Sequence, residues 1–305
     1  MPSRRASAPW RPKRRRLPRA AIAAVAVLTL APVLARAAPA DFYFERSVMS
    51  AANPRCNLFA PVLASALESA QAQARGAALR AGASDSSLAA LRQRAADRAA
   101  QTPCGSKDMS LAAARVRSAF EGYARLQRMS FPGEMADWRA DRTLAERTLI
   151  WRLAQTSRFG GDSLVFGLAG QGGASALVAA VSFADGAEPY AARLVLRDVN
   201  RAAEPCLGQS GTGLAARVPL PGARTAVLAE MRDTAPRALL PPGGASGFAF
   251  RFPRAAADAL AGLDPRESVV IEFLFEGRRG DSVRTAYIEV GDFAAGRAFL
   301  AAAQR

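Results

Sequence analysis

A 305-residue chain with 41 basic and 26 acidic residues and no histidine carries a formal charge of +15. The missing imidazole excludes Ser-His-Asp and Cys-His catalysis, His-ligated zinc, c-type haem attachment and imidazole proton transfer. Half of the residues are hydrophobic, enough for one large core or two smaller ones, so low-complexity disorder does not fit.

The first nineteen residues hold Arg4, Arg5, Arg11, Lys13, Arg14, Arg15, Arg16 and Arg19 and no acid. An apolar run of 15 residues follows, Ala20 to Leu34, shorter than the roughly 20 of a bilayer span. Small residues come next, Ala35-Arg36-Ala37 and Ala38-Pro39-Ala40. This order predicts a secretory signal over residues 1–40, cleaved after Ala37 or Ala40, and a periplasmic or secreted protein. The alternative is an uncleaved anchor, which would be the tie to a membrane. Residues 1–40 hold nine basic residues, so 32 basic and 26 acidic residues remain, a net +6. That charge favours an anionic partner weakly and is far below a nucleic-acid footprint. The expected partner is a protein or an anionic envelope polymer, not a nucleic acid.

Residues 41–55 read as a leading segment with the aromatic cluster Phe42, Tyr43 and Phe44. From Phe59 to about Arg80, the residues Phe59, Val62, Leu63, Ala66, Leu67 and Ala70 fall at three- and four-residue spacing, one face of a helix. Gly82 stops it, and Ser84 or Asp85 caps a second helix that runs to about Ala100. Cys56 lies 26 residues before the turn and Cys104 lies 22 after it. At about 1.5 Å per residue, two antiparallel helices bring both cysteines to one end of a hairpin. The spacing therefore predicts a Cys56–Cys104 disulfide, worth roughly 4 kcal/mol on the chain-entropy model. The alternative pairs one of them with Cys206 or leaves it reduced. A third helix starts at Ser106–Asp108 and runs to about Met129, with Val116, Phe120, Tyr123 and Leu126 along its apolar face, and Phe131-Pro132-Gly133 breaks it.

After a connector holding Trp138, the period changes from helix to strand. Leu149, Trp151 and Leu153 alternate, residues 158–162 read as a turn, and Leu164, Phe166 and Leu168 alternate again. Further strands are predicted near 175–184, 191–199, 224–231, 247–252, 267–276 and 282–290, roughly eight in all. Helices are predicted near 253–262 and from Asp292 to about Ala303, and loops over 200–223 and 233–246. The fold class is α+β: a disulfide-stapled helical module over 41–131, then a mainly antiparallel β-sandwich-like domain over 132–305 with a C-terminal helix.

Sites are few. Lys107 is the one lysine after the signal and stands in no S-x-x-K motif. Gly211-Thr212-Gly213-Leu214-Ala215-Ala216 has the outline of a dinucleotide loop, but no strand runs into it, so it reads as an ordinary loop. Cys206 has no activating histidine. Paired carboxylates can hydrolyse glycosides without one. Asp137, Asp141 and Glu146 near Trp138 and Trp151 are the candidates, although Asp137 and Asp141 flank Arg139 and Arg142 as ion-paired surface residues do. No cofactor or metal site is expected.

The C-terminal order is a strand at Phe248–Pro253, a helix at Ala255–Leu263 and strands at Ser268–Phe275 and Thr285–Val290. The last strand runs into Gly291-Asp292-Phe293-Ala294-Ala295-Gly296-Arg297-Ala298-Phe299-Leu300. Over about 55 residues this resembles the end of the invasion-associated locus B family of exported bacterial proteins. Members of that family carry a cysteine pair in this region, where this chain has Cys206 alone. The resemblance implies a β-rich envelope protein without established catalysis, and no site residues. The expected function is a non-catalytic envelope binding protein; the alternative is a carboxylate-based hydrolase of an envelope glycan.

Overall fold

The computed structural model describes residues 38–301 apart from 144, 173, 210 and 279. The expected export signal therefore lies outside the described residues as far as residue 37. The fold is α+β, with four helices leading, two antiparallel sheets, and a helix at the C-terminal end.

The leading segment is itself a helix, α1 (Pro39–Cys56). Pro39 suits the first turn, where its missing N–H has no partner to lose. The Asp41 carboxylate accepts the Ala38 N–H at 3.0 Å. The buried face is Tyr43, Ser47, Met49 and Ala52, half of it polar or small, which hid the helical period. α2 (Pro61–Arg80) and α3 (Asp85–Gln101) follow as expected. Ser84 caps α3 by accepting the Ser87 N–H at 3.1 Å.

The two helices do not form a self-contained hairpin, because α1 packs against both of them. α1 and α3 end together, and Arg55 donates to the Ala99 and Thr102 carbonyls there. The Cys56–Cys104 disulfide joins that end, with Cα atoms 5.4 Å apart. α4 (Lys107–Phe120) stops nine residues before the expected Met129. A 3-10 turn, Tyr123–Arg125, intervenes, and the chain is already a strand at Arg128.

The strands are β1 (Arg128–Phe131), β2 (Trp138–Asp141), β3 (Ile150–Phe159), β4 (Asp162–Gly170), β5 (Ala176–Ser182), β6 (Ala191–Arg197), β7 (Arg224–Leu228), β8 (Met231–Thr234), β9 (Phe248–Phe252), β10 (Ser268–Phe275) and β11 (Ser282–Glu289). The expected connector around Trp138 is thus β2, and the expected strand at 224–231 is divided into β7 and β8. One sheet runs β1-β2-β3-β4-β5-β9-β8 and the other β11-β10-β6-β7. All strand pairs are antiparallel.

Alternating side chains from both sheets meet in the core: Leu164, Phe166 and Leu168 from β4, Phe250 and Phe252 from β9, and Val269, Ile271 and Phe273 from β10. α5 (Arg254–Gly262) and α6 (Phe293–Ala301) add Leu260, Phe293 and Phe299 to it. α2 packs on α6, and the Ser69 hydroxyl donates to the Ala295 carbonyl at 2.8 Å. No described helix is long and apolar enough to cross a membrane.

Candidate functional site

The carboxylates singled out from the sequence do not converge as a catalytic pair. Asp137 precedes β2 and Asp141 ends it, so strand rather than helical geometry separates them. Asp141 is ion-paired to Arg128 at 2.7 Å and accepts the Thr143 N–H at 2.8 Å. Burial works against its charge, but the hydrogen bonds from Thr143 and Arg128 outweigh that and hold the carboxyl below its ordinary range. Such a group stays ionised and makes a poor general acid. Glu146 is exposed. Trp138 is fully buried and donates to the Val290 carbonyl at 2.9 Å, so it is a core residue rather than a sugar platform. Trp151 is half-buried on the outer face of its sheet.

Four carboxylates are deeply buried around the start of β10 and the end of β11, and each is held by structural partners. Glu267 pairs with Arg197 at 2.6 and 2.9 Å, while Arg197 also donates to the Ala202 and Ala203 carbonyls. Asp264 takes Arg266 at 2.8 Å. Glu289 accepts the backbone N–H groups of Glu134, Met135 and Ala136 at 2.6, 2.8 and 2.9 Å. Gly133 makes that contact possible, since a Cβ there would stand 2.5 Å from Glu289 Oε2. Asp292 takes Arg80 of α2 through two hydrogen bonds of 3.0 Å. Burial pushes the Asp292 carboxyl up, with Arg80 opposing. This belt of charge ties the loops at 132–137 and 198–206, and α2, to the sandwich.

Cys206 is a free, half-buried thiol whose Sγ lies 3.2 Å from the Val218 carbonyl. The segment Gly211–Ala216 runs into a 3-10 turn, Leu214–Arg217, instead of opening an α-helix, so it lacks the helix N-terminus that a dinucleotide loop supplies.

One of the open concave surfaces is a groove of about 460 Å³ between α1 and α4. Its apolar lining includes Phe42, Phe44, Val48, Met49, Val116 and Phe120, and its charged residues are Arg46, Arg98 and Arg115 against the single acid Glu45. Phe42 is 43% exposed. Arg98 and Arg115 make no side-chain hydrogen bond or ion pair among the described residues. Arg46 donates to the Ala70 carbonyl at 2.7 Å and lies over the Phe42 ring. The surrounding charge agrees: residues 41–131 hold 12 basic and 7 acidic residues, whereas 132–305 hold 20 and 19. Nearly all the excess positive charge beyond residue 40 thus belongs to the helical segment. The sequence marked the aromatic cluster at 42–44 and the apolar face of α4, but nothing in it said that α3 would bring Arg98 beside Arg115.

Comparison with protein-family models, with curated proteins and with solved structures finds no match for the chain.

Proposed function

We propose that the protein is an exported, non-catalytic binding protein of the cell envelope, and that it grips an acidic amphipathic helix of a partner protein in the groove between α1 and α4. The observation that carries this reading is an apolar groove with two guanidinium groups on its rim, Arg98 and Arg115, that have no hydrogen-bond or ion-pair partner among the described residues. The groove is open between two helices rather than enclosed, which suits the apolar stripe of a helix better than a lipid tail. Uncommitted arginines then meet acids on the flanks of that stripe.

Export is supported by the arginine-rich and apolar segments before Leu34 and by the disulfide, which belongs to an oxidising compartment. Cleavage after Ala37 would keep α1 whole, whereas cleavage after Ala40 would remove its first turn and the partner of Asp41. The expected mature N-terminus is therefore Ala38, which the intact mass of exported protein tests. The C-terminal resemblance to the invasion-associated locus B family fits such a role.

The binding test uses a synthetic helix with Leu at one face and Glu elsewhere, and a counterpart with Lys in place of Glu. The Glu peptide should bind and weaken as salt rises. Arg98→Ala and Arg115→Ala should each cost it about 0.2–1 kcal/mol, as exposed ion pairs do. Equal binding of the Lys peptide would sink the reading.

A further inference from the structure

A second concave surface lies on the outer face of the seven-stranded sheet, far in character from the groove. Its shape follows from register. Ser130 pairs with Arg139, Arg139 with Ala154, and Ala154 with Gly167, so these four stand in one cross-strand row. Thr156 and Val165 form the next row, and Arg128 and Asp141 stand on the other side. Gly167 has φ +152, and a Cβ there would stand 1.9 Å from the Leu153 carbonyl, so no side chain can fill that point of the floor. Small residues in the middle and large ones around them leave a dish of about 500 Å³, within the usual range of small-ligand sites.

The walls carry distinct chemistry. Trp151 stands at one side, its indole N–H donating to the Leu239 carbonyl at 3.2 Å, which fixes the ring. Leu240 and Pro242 continue that wall. Opposite are the Arg128–Asp141 ion pair and Arg139. Arg139, Ser130 and Thr156 make no side-chain hydrogen bond or ion pair among the described residues. An extended peptide lying across this face gains little, because the backbone groups of β2, β3 and β4 face neighbouring strands on both sides; only the edge strand β1 keeps a free side. A saccharide needs only side chains. Its apolar ring face can lie against Trp151 and the alanine floor, while Ser130, Thr156 and the ionised Asp141 meet its hydroxyls. The free guanidinium of Arg139 adds a preference for a carboxylate, which it can hold bidentately.

We propose that this dish binds a carboxylate-bearing saccharide, at a site separate from the helical groove. The protein then has two binding faces, one for an acidic helix and one for an acidic glycan. Nothing in the dish requires bond cleavage, since Asp141, held ionised by Thr143 and Arg128, is the one carboxylate in its lining and glycoside hydrolysis uses two.

The test titrates the exported protein with tetragalacturonate and with its methyl ester, which has the same sugars without the charge. Isothermal calorimetry should show binding of tetragalacturonate and about tenfold weaker binding of the ester, the size of one charge-assisted hydrogen bond. Arg139→Ala should abolish that preference with an unchanged melting temperature, because the side chain is exposed and unpartnered. Trp151→Ala should remove binding of both. If that variant fails to fold, Trp151→Phe, which keeps a ring for stacking, should retain the charge preference with weaker binding. The proposal is overturned by no binding at millimolar saccharide, by equal binding of acid and ester, or by binding that Arg139→Ala leaves intact and Arg115→Ala destroys. The last result would assign the saccharide to the groove.

Discussion

At Gly76 a single methyl group would stand 2.2 Å from Asp292 Oδ1. Gly76 and Arg80 occupy one face of α2, so the glycine makes room for the carboxylate that the arginine holds. Gly76→Ala should therefore destabilise the fold by about 1–3 kcal/mol, through steric displacement rather than helix propensity, which favours alanine. Urea denaturation measures it, and an unchanged midpoint would refute the close approach. Arg80→Ala should cost about 3 kcal/mol or more by leaving Asp292 buried and unpaired. The sign of its pH dependence follows from burial. A carboxyl raised in the folded state penalises folding while ionised, and the penalty lifts as pH falls through the folded pKa. The Arg80→Ala variant should thus regain stability on mild acidification relative to the wild type. Asp185 behaves oppositely. Hydrogen bonds from Arg284 and the Ala187 N–H lower it to about 2. Its favourable contribution is present above the ordinary carboxylate range and fades as pH falls toward 2, which carboxyl NMR titration can follow. None of these pairings is visible in the sequence, because Arg80 and Asp292 lie 212 positions apart and no local rule connects them.

Among the elements, strands with clean alternation and helices with cap signals were legible. β4 alternates in size, large Leu164, Phe166 and Leu168 facing the core between the sheets and smaller residues facing the other, also covered, side, and α3 begins where Ser84 can cap it. α1 was not legible, since Ser47 and Ala52 carry part of its buried face. The end of α4 was misplaced because Val116, Phe120, Tyr123 and Leu126 continue the helical spacing, whereas the chain turns at Tyr123–Arg125 to enter β1. The disulfide was legible because helix length fixes where two cysteines end up. Its partners in packing were not: it joins the end of α1 to the end of α3. Reduction, or Cys56→Ser, should therefore loosen α1 and α3 first, while α2 keeps its protection through Ser69 and Arg80 on α6. Hydrogen exchange tests this. Equal loss of protection across all three helices would show that the bridge, not the docking on α6, secures α2. The lost stability should be on the order of 2–4 kcal/mol.

Over the whole molecule, the net charge on its own gave a weak and misleading picture. Much of it belongs to residues 1–40, and nearly all of the rest belongs to the helical segment. The sandwich is almost neutral, yet it hides a belt of buried charge that a sequence count cannot distinguish from surface. The candidate site was legible only as parts: an aromatic cluster at 42–44, an apolar α4 face and scattered arginines. Their assembly depends on which helices become neighbours, and α1 had not been recognised as one.

The docking of α2 on α6 also sets a schedule. Ser69 reaches Ala295 across 226 positions, so one of the first helices made must wait for the last. Until α6 has left the ribosome, the face of α2 that carries Ser69 and Gly76 has nothing to settle on, although Ala74 and Ala78 already meet Tyr43 of α1, and Glu289 is not yet there to gather residues 134–136. Contacts this distant in the chain form slowly. The interface of α2 with α6 and the Glu289 anchor therefore close only when almost the whole chain has been made, whereas α1 can pack on α2 and α3 long before.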